Sequence, residues 1–260
     1  QYLDTDDTWI RERTGVKSRH ISGDKETTAD MAVKAAEKAL DNSGLLPDEI
    51  DLIIVSSVSS NIVLPSTACF VQKAISAKNA FCFDINVACT GFITAYNISQ
   101  TFINTGLINT ALIIGAESLS KITDWSDRKT CILFGDGAGA VVIKKDENAM
   151  FETVMFSNGK NGDALTMENP FALRKTNLGK NHQGQFDISF QDVHKTYINM
   201  DGGEIFKFAV KKVPECIEAL LEKIHMDKSE IDKYLLHQAN SRIIEGIAKR
   251  SKIPLKKIPL

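Results

Sequence analysis

No apolar run in this sequence approaches the roughly 18 residues that a membrane-spanning helix needs, and the opening residues lack the apolar core of a signal sequence. No two cysteines have CxxC spacing. There are five, at 69, 82, 89, 131 and 216, an odd number lying mostly in apolar runs. That pattern reads as reduced thiols in a cytosolic (cytoplasmic) protein rather than a disulfide framework. Strong charge of either sign is also missing: a formal net charge of −2 gives no global attraction to nucleic acid or to an anionic membrane. The chain opens on Gln1 rather than methionine, so further residues are expected ahead of it. What remains is ordinary globular composition, 43% hydrophobic and 25% charged, in 260 residues. That length holds one large domain or two intimate ones with a proper core.

Strands and helices alternate through the first half. Thr28 to Ser43 is predicted to be a helix with Ala32, Ala35, Ala36 and Ala39-Leu40 facing inward, stopped by Gly44. "LLPDEID" is a polar turn, and "LIIVSSV", Leu52 to Val58, is a continuous apolar strand of the kind buried on both faces. "STACFVQKAI" is a second helix with Ser66 as its N-cap. Ala80 to Ile85 reads as a short buried strand, as do Thr110 to Ser118 and Ala138 to Lys145. The polar stretch Asn158 to Gln185, with four glycines and many Asn and Lys, reads as a long surface excursion.

After that excursion the pattern repeats. "IEALLEKIHMDKSEIDKYLLHQ" lies over "AEKALDNSGLLPDEIDLIIVSS" at a constant offset, with Glu49-Ile50-Asp51 on Glu230-Ile231-Asp232 and Ile54-Val55 on Leu235-Leu236. A helix, an acidic turn and a buried strand recur in order, and Ser241 onward repeats the next helix. This predicts an internal duplication into two similar α/β halves, 1–150 and an incomplete 151–260.

Cys89 sits at the joint between a strand and a helix in "FDINVACTGFITAYNISQ", where Phe92, Ala95, Tyr96, Ser99, Phe102 and Ile103 share a face at helical spacing. A helix start favours thiolate over thiol and supplies backbone N–H groups for a developing oxyanion. The bland alternative is a small buried filler, the usual fate of a free cysteine. His237, in "HQAN", follows the predicted strand Lys233 to Leu236 and falls in a loop. A two-fold pair of halves would bring such turns together, giving a nucleophile–base arrangement in search of a third partner. Hydrogen-bonded packing is the bland alternative for this histidine.

"NVACTGF", "FGDGAGAVV" and "HQANSRII", in this order, resemble the β-ketoacyl-acyl-carrier-protein synthase III family, as does "DDTWIRERTGVKSRHI" near the start. The resemblance implies a thiolase-like fold, two halves in a five-layer α/β/α/β/α sandwich, in agreement with the repeat. It implies that Cys89 accepts an acyl group from acyl-CoA, and that His237, with an asparagine, assists decarboxylation of malonyl-acyl-carrier protein. That asparagine belongs to a "GNTS"-type segment expected beyond residue 260, as is a glycine-rich strand completing the oxyanion hole. Asn240 is not its equivalent, and without those segments the 260 residues are not expected to be competent.

The resemblance further implies that Trp9 and Arg128 sandwich the CoA adenine, with Arg13 in the same segment. It makes Phe134 an acyl-pocket wall and Leu64 a residue that a dimer partner inserts at the far end of the pocket. Lys207 and Arg242 match carrier-docking positions, and with Lys249 they belong to a basic accumulation near the His237 motif. Such a rim steers an acidic partner; a solvated helix face is the alternative. The resemblance implies a homodimer with acyl-CoA as substrate, no tightly bound cofactor or metal, and no nucleic-acid or membrane partner. A starter synthase or acyltransferase of secondary metabolism, a non-catalytic acyl-carrier-binding homologue and a cysteine hydrolase stay open as alternatives.

Overall fold

The computed structural model describes residues 3–169, 176–180, 186–190 and 196–259. Its centre is a four-stranded sheet of β1 (Leu52–Ser56), β2 (Phe81–Ile85), β3 (Thr110–Ser118) and β4 (Asp136–Lys144). The spatial order is β2-β1-β3-β4, with β1 parallel to both neighbours and β4 antiparallel to β3. Parallel neighbours need crossover helices, and the sequence supplies them.

Period-two alternation decides which helix covers which face. Ile53, Val55, Leu112 and Ile114 point to one side, under α2 (Thr28–Ser43) and α3 (Thr67–Ile75). Leu52, Ile54, Ala111 and Ile113 point to the other, under α4 (Gly91–Asn104) through Ala95 and Ile103. Each Leu or Ile so buried contributes about 1.5–3 kcal/mol relative to exposure. The sequence boundaries of α2 and β3 hold residue for residue, with Gly44 at φ +68° stopping α2 and Ser66 capping α3.

The buried-strand reading is corrected at β2 and β4. Both are sheet edges: Phe81 is exposed, and so are Gly137, Ala138, Gly139 and Val141 of β4. An edge strand has a neighbour on one side only, so apolar residues there do not ensure burial.

The predicted repeat recurs in the local geometry. α6 (Gly202–Ile224) ends at His225 with φ +56°, as α2 ends at Gly44. A short 3₁₀ turn follows in each half, Pro47–Glu49 and Lys228–Glu230. In each the last glutamate turns back on the turn's entry: Leu46 N–H donates to Glu49 at 2.8 Å and Asp227 N–H to Glu230 at 2.7 Å. α7 (Ser241–Ser251) ends at Lys252, φ +56°, as α3 ends at Ser76, φ +60°.

The strand predicted at Lys233 to Leu236 differs. It is an extended segment in which Tyr234 N–H donates to Lys257 O at 2.8 Å, outside any sheet among the described residues. Tyr234 and Leu236 pack with Ile244, Ala248 and Ile258, while Leu235 is 78% exposed. β1 is covered on both faces and flanked by strands on both sides. This segment has α6 and α7 on one face, so its apolar run is only half buried.

Part of the polar excursion, 170–175 and 181–185, lies outside the described residues. The described part of it and the residues just after it carry short regular elements. A 3₁₀ turn at Gly159–Ala164 leads to β5 (Leu165–Thr166), and β6 (Thr176–Lys180) pairs antiparallel with β7 (Phe186–Phe190). β8 (Asn199–Met200) pairs with β5. The alternation Phe186, Ile188, Phe190 is the strand signal at its edge. No helix among the described residues is long and apolar enough to cross a membrane.

Candidate active site

Cys89 lies in a single 3₁₀ turn, Ala88–Thr90, that runs into α4. Ala88 has φ +46°, a left-handed conformation that costs a non-glycine residue about 1–3 kcal/mol. Strain of this kind persists only where its surroundings enforce it. Three residues on, Gly91 lies close against the end of β1: a Cβ on it would fall 1.7 Å from Ser56 Oγ. The first turn of α4 is thus seated directly on the central strand, and Cys89 is held just before the contact.

Cys89 is exposed, unlike a small buried filler. The surrounding protein nevertheless desolvates the sulfur in part. That burial pushes the thiol above its ordinary value, and the Glu117 carboxylate adds to the effect. The Cys89 backbone N–H acts against it. The expectation that the helix start leaves Cys89 as a ready thiolate is therefore corrected: desolvation and a nearby anion favour the protonated form. The amides of Thr90 and Gly91 donate to Val87 O and Ala88 O, while the Cys89 amide faces its own thiol.

His237 follows the extended segment 233–236 and precedes Asn240, whose Oδ1 accepts from Ile243 N–H at 2.9 Å as the N-cap of α7. Asn240 thus caps the start of α7. The His237 ring is reachable by solvent yet walled by protein, and burial pushes its pKa down, which keeps the imidazole neutral. No hydrogen bond joins Cys89 to His237 among the described residues.

Glu117, near the end of β3, went unnoticed in the sequence. Its carboxylate accepts from Val58 N–H at 2.9 Å, Ser59 N–H at 3.1 Å and the hydroxyls of Ser57 and Ser59. Burial pushes its pKa up, and these hydrogen bonds oppose the shift. The available signal was an acid inside the otherwise buried run "TALIIGAES". Asp136, in "FGDGAG", was missed as well. It accepts from the amides and hydroxyls of Ser22 and Ser120 at 2.6–2.8 Å. Burial alone raises its pKa, but the four bonds outweigh it and hold the carboxyl below its usual range. Gly135 beside it lets the 19–20 backbone approach, since a Cβ there would lie 3.1 Å from His20 O.

α1 (Asp7–Thr14) brings Trp9, Arg13 and α5 (Arg128–Cys131) together. The Arg128 guanidinium lies 4.9 Å from the Trp9 ring centroid and that of Arg13 5.5 Å. Arg128 also donates to Asp4 O at 2.5 Å. A flat base between Trp9 and Arg128 requires the arginine to swing away. α1 itself abuts α7, where a Cβ on Gly15 would lie 3.0 Å from Ser241 Cβ. Phe134 is half-buried, and Leu64 is 86% exposed at the tip of the β1–α3 loop.

The basic accumulation divides. Lys257 donates to Ser229 O and Ile231 O, Lys212 pairs with Glu215, and Lys207 pairs with Glu204 at 2.8 Å. Arg242 and Lys249 are exposed on α7 with no ion pair among the described residues. No cluster of metal-ligating side chains occurs among the described residues.

A sheet sandwiched by helices, a cysteine at the strained start of the central helix and a histidine after a repeated half-motif define a thiolase-like condensing enzyme. A family model described as 3-oxoacyl-[acyl-carrier-protein (ACP)] synthase III matches residues 83–159. The beta-ketoacyl-[acyl-carrier-protein] synthase III of Clostridium perfringens (strain SM101 / Type A) is 46% identical over 259 residues, 99% of this chain and 76% of the relative. That of Ehrlichia canis (strain Jake) is 42% identical over 98% of this chain and 76% of its own. The crystal structure of 3-oxoacyl-[acyl-carrier-protein] synthase III from Aquifex aeolicus VF5 aligns with TM-score 0.78 at 39% identity, covering 98% of this chain and 75% of that one. The priming beta-ketosynthase of the R1128 polyketide pathway aligns with TM-score 0.87 at 29% identity, covering 99% and 73%. The chain belongs to the 3-oxoacyl-[acyl-carrier-protein] synthase III family, and its fold is thiolase-like.

Proposed function

We propose that this protein is a starter condensing enzyme of type II fatty-acid synthesis. Cys89 takes an acyl group from acyl-CoA, and the acyl-enzyme then condenses with malonyl-acyl-carrier protein to give a 3-oxoacyl-acyl-carrier protein. The observation that carries this reading is the exposed Cys89 thiol behind a strained Ala88, locked by the Gly91–Ser56 contact.

In the first half-reaction Cys89 Sγ forms a bond to the acyl carbon, the bond from that carbon to the CoA sulfur breaks, and the cysteine proton ends on the CoA thiol. The Cys89 amide is the candidate donor to the tetrahedral oxyanion. In the second, the malonyl carboxylate leaves as carbon dioxide, and the resulting enolate electron pair attacks the acyl carbon. The carbon–Sγ bond breaks, and Cys89 recovers a proton. His237, kept neutral by burial, donates an N–H hydrogen bond to the malonyl thioester oxygen as charge builds there. An asparagine after residue 260 is the second donor on this reading.

Trp9, Arg13 and Arg128 are the CoA-binding group, with Arg128 giving up its place on Trp9 to the adenine. Phe134 and Leu64 bound the acyl channel. Arg242 and Lys249, exposed on α7 with no ion pair among the described residues, and Lys207 on α6 receive the acidic carrier protein. The division into halves 1–150 and 151–260 follows the repeated turns. β2 is an open sheet edge with Phe81 exposed, and Leu64 stands out nearby in sequence; both suit pairing with a second copy of the chain. Five free cysteines fit a reducing compartment such as the cytoplasm.

The similarity to the polyketide priming enzyme supports a secondary-metabolism starter role as a second reading, while the curated relatives at 46% identity favour fatty-acid synthesis. Turnover of an acyl-CoA with malonyl-carrier protein, read as carbon dioxide and 3-oxoacyl product, tests the proposal. Free acid without condensation would point to a hydrolase instead.

A further inference from the structure

The Glu117 carboxylate stands in a site built to receive it. Two amides and two hydroxyls of the Ser57–Ser59 turn converge on it, and Ser59 Oγ in turn accepts from Ser118 N–H at 2.7 Å. Thr28 ties the same turn to β3, donating to Ser59 O at 2.7 Å and lying 2.9 Å from Ser118 Oγ. The turn begins one residue after Ser56, whose hydroxyl fills the space beside Gly91. Ser57 N–H donates to Ile85 O at 3.2 Å, so the end of the strand leading to Cys89 is tied to the same place. Two of these routes, through Ser57 to Ile85 and through Ser56 to Gly91, reach the backbone on either side of Cys89.

We infer that Glu117 is a positioning residue for Cys89: it pins the Ser57–Ser59 turn that continues directly from Ser56, the residue against which the start of α4 is seated. The inference rests on Cys89 being the acyl acceptor, but the two can fail separately. Glu117, from β3, is the charged side chain that acts on the Cys89 thiol, and its own hydrogen-bond partners, on the β1–α3 loop, are neutral. Its charge therefore opposes thiolate formation. A thiol biased toward its protonated form is less open to stray electrophiles and oxidants.

The test is the pH profile of Cys89 alkylation by iodoacetamide, followed on the Cys89 peptide by mass spectrometry, in wild type, Glu117→Gln and Glu117→Asp. Glu117→Gln removes the charge at nearly constant shape. Its alkylation midpoint is expected to move to lower pH, with a several-fold faster rate near neutrality. Glu117→Asp keeps the charge on a shorter arm. Its midpoint is expected to stay near wild type while the thermal midpoint falls and acyl transfer from CoA slows. An unchanged profile in Glu117→Gln, or the same shift in both variants, would overturn the inference and leave Glu117 a packing residue only. Neither outcome depends on whether Cys89 carries the acyl group, which is read separately by acylation of Cys89 variants.

Discussion

Gly91 and Ser56 are in contact so close that no side chain fits between them: a Cβ on Gly91 would sit 1.7 Å from Ser56 Oγ and 2.8 Å from its Cβ. This contact fixes the height of α4 on the sheet, and with it the turn that holds Cys89. Gly91→Ala is expected to destabilise the protein by about 1–3 kcal/mol, the usual cost of overpacking, and to slow Cys89 acylation. Urea unfolding of Gly91→Ala alone and combined with Ser56→Ala checks this. Removing the Ser56 hydroxyl should recover part of the loss, because its Cβ still crowds the site.

Asp84, four residues before Ala88, accepts from the amides of Thr67 at 2.6 Å and Ala68 at 2.8 Å at the start of α3. A carboxylate satisfying two N-terminal amides acts as a cap supplied from a neighbouring strand. Asp84→Ala is expected to lower stability by about 1–2 kcal/mol. Asp84→Asn, which retains one acceptor oxygen, should lose less in the same unfolding assay.

Much of this was legible in the sequence. α2, β3 and the caps at Gly44 and Ser66 follow from periodicity and end signals, because each is decided by residues close in the chain. The repeated turns carried the duplication for the same reason. The burial of β2, β4 and 233–236 was not legible, since an apolar run looks alike whether one face or both are covered. Glu117, Asp136 and Gly91 were not legible either. Their roles depend on contacts with Ser57–Ser59, Ser22 and Ser56, partners that only the folded sheet brings near. The pKa direction of Cys89 failed similarly: the helix start was readable, but the desolvating walls and Glu117 were not.

His237 gives a prediction in pH. Its folded pKa is lowered by burial, so the unfolded chain binds a proton more readily. Its contribution to stability is full above the ordinary histidine value and is lost as pH falls through the lower folded one. Decarboxylation of malonyl-carrier protein should likewise hold steady through neutrality and fall only below the ordinary histidine range. A pH–rate profile of carbon dioxide release checks this, and an acid limb at or above that range would contradict it. His237→Ala should lower decarboxylation on the order of 10²–10³-fold, the scale for one lost oxyanion donor, while still accepting an acyl group from CoA.

Carrier docking is tested through α7. Arg242→Glu with Lys249→Glu is expected to raise KM for malonyl-carrier protein while acyl transfer from CoA stays nearly unchanged. Added salt should weaken the wild-type interaction and have less effect on the double variant. Lys207→Glu is expected to have a smaller effect on KM, because Glu204 already engages that ammonium. Equal losses with both substrates would place these side chains in fold maintenance instead.

The central claim is that Cys89 carries the acyl group, and direct labelling tests it best. Incubation with a radiolabelled short acyl-CoA, without malonyl-carrier protein, should leave label on the Cys89 peptide, and Cys89→Ala should leave none. Label that persists in Cys89→Ala, or that maps to Cys69, Cys82, Cys131 or Cys216 in the wild type, would contradict the account.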